Sequence, residues 1–340
     1  MTRRDFPIRA AGLAGLLTGC QPEEKPVAAL DIPARGREFH RGVNYTAERP
    51  DRYDSDGARQ RLRALADYGV DSIALVPYGF NRRGSTDVRF NSRRSWEKDS
   101  ALKSLTRVAH DAGMRVLLKP QLWVPRAFPG EIAFTEPTQA RAWFASYEPF
   151  LRHYASLATE IKADLFCVGV EFTKLIQYED DWRRLIRVTR DLYGGPLIYA
   201  ANWGKEFNSV GFWDALDYMG LNNYYPLPDD LSMDSIVAEI ERTQQRFSRP
   251  VIFPESGYPS LVTPYREPWA EVPREISLEE QARCYEAQFR AFYSKPWFHG
   301  VYWWKIGSNG FGGPHDGTHT PWRKPAMDVI AKWYRLGSQA

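Results

Sequence analysis

Cysteine is scarce, with three residues in a chain of 340: Cys20, Cys167 and Cys284. None sits in a C-x-x-C or related metal-binding spacing, and a disulfide between Cys167 and Cys284 is possible but not indicated. Cys167 falls in an apolar strand-like run and Cys284 in a helical pattern, so both read as buried free thiols. Charge of one sign is also lacking. The net charge is +3, and Arg3, Arg4 and Arg9 near the start supply much of it. The pairs Arg82-Arg83 and Arg93-Arg94 lie in a polar stretch and form no extended basic block. No face for nucleic acid is advertised. The apolar stretch near the start, residues 10–17, is far shorter than the roughly 20 residues that span a bilayer. No sequence period stands out, and no linker divides the chain.

Residues 1–19 read as a signal peptide. Thr2-Arg3-Arg4-Asp5-Phe6 is similar to a twin-arginine export signal, and Leu17-Thr18-Gly19-Cys20 is similar to a bacterial lipobox. Cys20 is then the expected lipidation site. Residues 20–36 form a largely polar tether, and residues 37–340 a single folded domain. The expected location is exported and lipid-anchored, on the periplasmic side of an outer membrane or at the cell surface, since Gln21 is not Asp. Contact with the membrane is expected only through this anchor.

Aromatic residues are abundant: 12 Trp, 18 Tyr and 18 Phe. Part of this number fills a core. The rest offers flat faces of the kind on which sugar rings stack. Short apolar runs at 40–45, 70–77, 114–120, 164–172, 196–203, 217–222, 251–254 and 299–304 read as strands. Helical patterns at 56–68, 98–112, 139–161, 181–193, 231–247, 278–293 and 324–336 alternate with most of them. Residues 78–94 and 121–137 read as long loops. Eight strands alternating with helices predict an α/β fold, a single closed (β/α)8 TIM barrel.

In such barrels, chemistry gathers at the C-terminal ends of the strands. Reading those ends collects Asn44, Tyr45, Pro77, Tyr78, Lys119, Gln121, Glu171, Asn202, Trp203, Asn222, Tyr224, Glu255, Trp303 and Trp304. Two carboxylates, Glu171 and Glu255, end separate apolar runs. At roughly 30–35 residues per βα unit, they stand two to three units apart. A pair of carboxylates among amides and aromatics, with no His or Cys cluster, suits glycosidic bond cleavage. Asn202 can hydrogen-bond a sugar hydroxyl, and Trp304 can floor the cleavage point. The candidate substrate-binding set is Tyr45, Lys119, Gln121, Trp123, Asn202, Trp203, Tyr224 and Trp304. No metal and no cofactor is called for.

Five segments in order carry a resemblance. They are Leu117-Leu-Lys-Pro120, Phe166-Cys-Val-Gly-Val-Glu171, Leu197-Ile-Tyr-Ala-Ala-Asn-Trp203, Gly220-Leu-Asn-Asn-Tyr-Tyr-Pro-Leu227 and Val251-Ile-Phe-Pro-Glu-Ser-Gly-Tyr258. Together they resemble glycoside hydrolase family 113, a β-mannanase family of the large retaining (β/α)8 clan. The resemblance implies Glu171 as acid/base, Glu255 as nucleophile, β-1,4-mannan or a related β-glycan as substrate, and no metal. Two positions depart from the pattern. Val170 stands where most of the clan has Asn, and Gln121 where relatives commonly have His. Alternatives are a glycan-binding surface lipoprotein on the same scaffold, and a hydrolase of another β-glycan such as galactan or glucan. A phosphate-binding barrel is a weaker alternative, resting on Gly307-Ser-Asn-Gly-Phe-Gly-Gly313, which lies past the last strand.

Overall fold

The computed structural model describes residues 35–49 and 53–336. The expected signal peptide, most of the expected tether and the expected lipidation site Cys20 lie outside the described residues. Eight parallel strands close a barrel: β1 (His40–Thr46), β2 (Ser72–Leu75), β3 (Arg115–Leu118), β4 (Leu165–Val170), β5 (Leu197–Asn202), β6 (Tyr218–Asn223), β7 (Val251–Ser256) and β8 (Phe298–Gly307). Around the ring the strands follow chain order, and β1 pairs with β8 to close it. The α/β TIM barrel expected from the alternating pattern is therefore the fold.

Helices α1 (Asp56–Ala64), α2 (Asp99–Asp111), α3 (Pro137–Ile161), α4 (Glu179–Leu192), α5 (Lys205–Ser209), α6 (Asp234–Phe247), α7 (Leu278–Phe292) and α8 (Pro325–Leu336) follow the strands in turn. Their starts obey local chemistry. Ser55 caps α1 through its hydroxyl on the Ala58 amide, and Ser277 caps α7 on the Glu280 amide. Glu179, Asp180 and Asp181 crowd the first turn of α4, where the helix dipole favours anions. On its inner face α4 buries Trp182, Leu185 and Ile186.

The barrel interior is filled by Ala74, Leu117, Leu165, Cys167, Val170, Ile198, Ala200, Ile252 and Tyr302. It is a packed plug rather than a pore, as the geometry of an eight-stranded barrel requires. A second, aromatic layer lies between strands and helices. Trp303 stacks on Tyr285 of α7 at 3.9 Å between ring centres, and Trp143 stacks on Tyr147 at 4.9 Å. Trp143, Trp182, Trp213, Trp303 and Trp333 are fully buried. Both described cysteines are buried free thiols.

One sequence reading needs correction. Residues 78–94 and 121–137 are not simply loops. Tyr78–Asn81, Val88–Arg89 and Gln121–Trp123 form a small separate sheet above the barrel. Tyr78–Asn81 runs parallel to Gln121–Trp123, with Tyr78 opposite Gln121 and Phe80 opposite Trp123. The Asn81 side chain donates to the carbonyls of Ser85 and Asp87, at 3.0 Å each, and ties the turn. Strands of two to four residues in a polar context carry too little periodicity to be read from sequence.

Gly220 in β6 shows how closely the ladder is packed. A Cβ there would lie 2.2 Å from the Tyr199 carbonyl oxygen of β5. Gly220→Ala should therefore lower stability by about 1–3 kcal/mol, the usual cost of overpacking. Gly194→Ala, where nothing lies within 4 Å of the new methyl, should stay within about 0.5 kcal/mol of the parent. Urea midpoints of the two variants check this, and equal midpoints would contradict it.

Candidate active site

The C-terminal strand ends bring the polar residues to one level. In the pairing register Asn202 of β5 stands opposite Asn222 of β6, and Asn222 stands opposite Glu255 of β7. Three polar side chains from consecutive strands thus share one rung of the rim. Glu171 follows directly after β4. Its backbone amide is still bonded to the Ala200 carbonyl at 2.8 Å, and its φ of 57° turns the chain out of the sheet.

The two carboxyl groups have unequal surroundings. Glu255 is buried and receives three donors. The Lys119 ammonium and the Gln121 amide both donate to its Oε1, and the Tyr224 hydroxyl reaches its Oε2 at 3.3 Å. Lys119 is wholly buried in this ion pair. Glu171 has one side-chain hydrogen bond of this kind, from Asn222 Nδ2 to its Oε1 at 3.0 Å. Burial first, and the negative charge of Glu255 second, hold the Glu171 carboxyl well above the usual carboxylate range. Asn222 therefore touches Glu171 and neighbours Glu255. It stood among the strand-end residues but outside the expected binding set, because an amide at a strand end carries no signal by itself.

Trp304 lies against this cluster. Its ring centre is 5.1 Å from Lys119 Nζ and 5.4 Å from Lys305 Nζ, within cation–π range. Gly257 makes room for it, since a Cβ there would come within 2.7 Å of the Trp304 carbonyl oxygen. Trp203 stacks on Trp269 at 5.5 Å and 17° and leans on Tyr225. Trp269 is half exposed, and sequence reasoning missed it because it lies in the loop after β7. Asn202 Oδ1 accepts from the Trp203 amide at 2.9 Å. Trp123 is exposed and meets Tyr78 edge-on. Two expectations fail. Tyr45 does not reach the mouth. It is fully buried, stacks on Tyr53 and donates its hydroxyl to the Ala58 carbonyl of α1 at 2.7 Å. Its place in β1 turns the ring outward toward the helices. Trp303 points into the same outer layer.

Behind Glu171 lies a second buried acid, Glu206, which ends no apolar run and carries no local signal. Glu206 in the short helix α5 accepts from the Tyr199 hydroxyl at 2.7 Å and the Thr173 hydroxyl at 2.5 Å. Tyr199 in turn accepts from the Phe172 amide at 2.9 Å. The two residues that follow the Glu171 turn, Phe172 and Thr173, are thereby fixed. On the other side of the mouth a cavity of about 730 Å³ opens over β1, β2, β3 and β8, with Tyr78, Phe80, Arg94, Trp96, Trp123 and Lys305 in its walls. Among the described residues no group of three or more His, Cys, Asp or Glu is arranged to hold a metal.

A family model described as Glycoside Hydrolase Family 113 matches residues 43–311. A family 113 β-mannanase from Alicyclobacillus acidocaldarius, solved in complex with ManMIm, is 30% identical; the match covers 88% of this chain and 97% of that one, with a TM-score of 0.81. A family 113 β-1,4-mannanase is 27% identical over 87% of this chain and 99% of its own, also at 0.81. A β-glucuronidase from Faecalibacterium prausnitzii, at 14% identity over 90% of this chain and 49% of its own, shares the fold with a TM-score of 0.59. No curated protein sequence matches the chain.

Burial pushes the Glu206 carboxyl up from its ordinary 4.5 to about 7. A group whose folded pKa is raised binds its proton more tightly in the folded state, so its contribution to stability is present below about 4.5 and lost as pH rises through about 7. Glu206→Gln keeps an acceptor oxygen for one of the two hydroxyls, offers its amide N–H to the other, and removes the charge. Its melting temperature relative to the parent should therefore rise between pH 5 and pH 8. A difference that does not move with pH would show that Glu206 is not held in this way.

Proposed function

Because the chain belongs to glycoside hydrolase family 113, we propose that this glycoside hydrolase cleaves β-1,4-linked mannan or a closely related β-glycan with retention of configuration. One observation carries the assignment of roles: Glu171 bonds Asn222, which stands opposite Glu255 in the ladder, yet Glu255 holds an ammonium, an amide and a phenol while Glu171 holds the single amide. A carboxylate fixed by three donors and facing the mouth is suited to attack an anomeric carbon. A carboxyl kept protonated by burial and a nearby negative charge is suited to donate a proton.

The steps follow from this asymmetry. Glu171 gives its proton to the glycosidic oxygen as the C–O bond breaks. A Glu255 oxygen forms the bond to the anomeric carbon, giving a glycosyl ester and a free leaving sugar. Esterification removes the Glu255 charge, so the Glu171 carboxylate loses a neighbour that raised its pKa and becomes competent to take a proton from water. That water attacks the anomeric carbon, the ester bond breaks, and both carboxyl groups return to their starting states. Trp304 stacks under the sugar at this point, and Asn202 and Trp203 receive its neighbours. Val170 is buried in the barrel interior and offers no hydrogen bond, which leaves the 2-hydroxyl to Asn202. Gln121 stands where relatives commonly have His and still donates to Glu255.

The leader reading adds a location. Lipid attachment at Cys20 would tether the barrel to a membrane surface. Protein expressed with its own leader should fractionate with membranes, and the Cys20→Ala form should not. Equal partitioning of the two would show that no lipid at Cys20 anchors the protein.

The carboxylate roles predict different failures. Glu255→Ala should lose activity on every substrate. Glu171→Ala should still form the glycosyl ester from an aryl β-mannoside with a good leaving group, because that step needs no proton, and then stall. Added azide should release a β-mannosyl azide from Glu171→Ala alone. An inverted first product from the parent enzyme, or the same azide response in both variants, would reverse or remove these roles.

A further inference from the structure

The cavity beside the carboxylates is walled by a basic segment. Between residues 82 and 96 stand Arg82, Arg83, Arg89, Arg93 and Arg94 against a single acid, Asp87. The segment is fixed rather than loose. Asn81 ties its first turn, the Val88 amide donates to Ser146 of α3 at 2.8 Å, and Asn91 Oδ1 accepts from the Arg93 and Arg94 amides. Three cations reach the cavity: Arg89, Arg94 and Lys305. Arg89 pairs with Asp87, and Lys305 pairs with Glu48 at 2.8 Å. Arg94 has no acidic partner among the described residues. Two acids also line the wall: Glu48 is taken by Lys305 and Thr46, and Glu97 is buried and forms no ion pair with Arg94 among the described residues.

The same walls carry the exposed aromatic rings. Phe80, Trp96 and Trp123 are each about half exposed, and Phe80 stands directly opposite Trp123 in the small sheet. Flat open rings beside an uncommitted guanidinium provide for both parts of an acidic sugar: the rings cover its C–H face, and the guanidinium takes a planar anion through two parallel N–H donors. The cavity also adjoins the reacting centre. Lys305, which lines it, lies 5.4 Å from the Trp304 ring, and Tyr78 borders it above β2.

We propose that this cavity is a subsite for a sugar unit bearing a negative charge, so that the enzyme's substrate is a β-mannosidic glycan carrying carboxylate or sulfate groups; the β-mannosidic part rests on the function proposed above. Arg94 is the residue that reads the charge, and the pair Phe80 and Trp123 supports the ring. A neutral mannan fills the same mouth without engaging Arg94.

The test uses one backbone in three forms: linear β-1,4-mannan, the same mannan oxidised at C6 to carboxylates, and the same mannan O-sulfated. Retardation of the parent protein in gels containing each polymer reads binding without turnover, and kcat/KM on each reads cleavage. At low ionic strength the parent should be retarded more by a charged form than by neutral mannan, and added salt should shrink the difference as it screens the charges. Arg94→Gln should lower the charged-to-neutral ratio about tenfold, the scale of one charge-assisted hydrogen bond, and Arg89→Gln should lower it less. Preference for the carboxylated or the sulfated polymer identifies the anion. If no polymer is cleaved but a charged one still retards the parent through Arg94, the mannanase reading fails and the anionic subsite stands. Equal retardation by charged and neutral polymers, or an unchanged ratio in Arg94→Gln, overturns the proposal.

Discussion

Two carboxyl groups in one poorly solvated mouth cannot both be ionised without compensation, and much of the site follows from how that conflict is settled. The protein supplies one buried ammonium, Lys119, and directs it to Glu255. Gln121 adds an amide to the same oxygen. Glu171, with Asn222 as its side-chain partner, is left to resolve its burial by keeping a proton. The asymmetry is thus set by where one cation lies. It also explains why Lys119 can be wholly buried: an ammonium without its partner would be far too costly there, whereas the hydrogen-bonded pair is tolerable.

Barrel closure makes this arrangement possible. Parallel strands in register deliver Asn202, Asn222 and Glu255 to one rung, and Lys119 arrives from the far side of the ring after β3. Residues from β3, β4, β6 and β7 meet only because the sheet is closed on itself. The plug beneath them, from Ala74 to Tyr302, supports the rung from below. Asn44 adds a brace at the seam, donating to the Pro254 and Tyr302 carbonyls on β7 and β8.

How much of this could be read in the sequence depended on the kind of signal. The eight barrel strands are legible as short buried apolar runs, because burial on both faces leaves a continuous hydrophobic stretch. Glu171 and Glu255 are legible as charges at the ends of such runs. Side-chain direction was not. Tyr45 and Trp303 sit in β1 and β8 as the pattern suggests, but each is turned outward into the helical layer, and a one-residue change of phase in a strand separates core from mouth. Glu206 and Trp269 were missed, and Asn222 was left outside the expected binding set, for another reason. Each owes its importance to partners distant in the chain, and none breaks a local pattern. The small sheet over the barrel was hidden by its brevity and by the Arg-rich segment it holds.

Glu171 illustrates why those distant partners matter. Its φ of 57° is unfavourable for a residue with a Cβ, and such a conformation persists only where the surroundings over-determine it. The Phe172 amide is held by Tyr199, Tyr199 by Glu206, and Glu206 in turn holds Thr173. Three hydrogen bonds therefore fix the two residues that follow the turn, while the Ala200 carbonyl fixes Glu171's own amide. The negative charge of Glu206 also raises the Glu171 pKa, behind burial and Glu255 in size. One buried acid thus serves both the geometry and the protonation of the residue in front of it. A neutral amide in its place can still bond both hydroxyls, accepting from one and donating to the other, and gives up the charge, so the two roles separate chemically even though one side chain performs both.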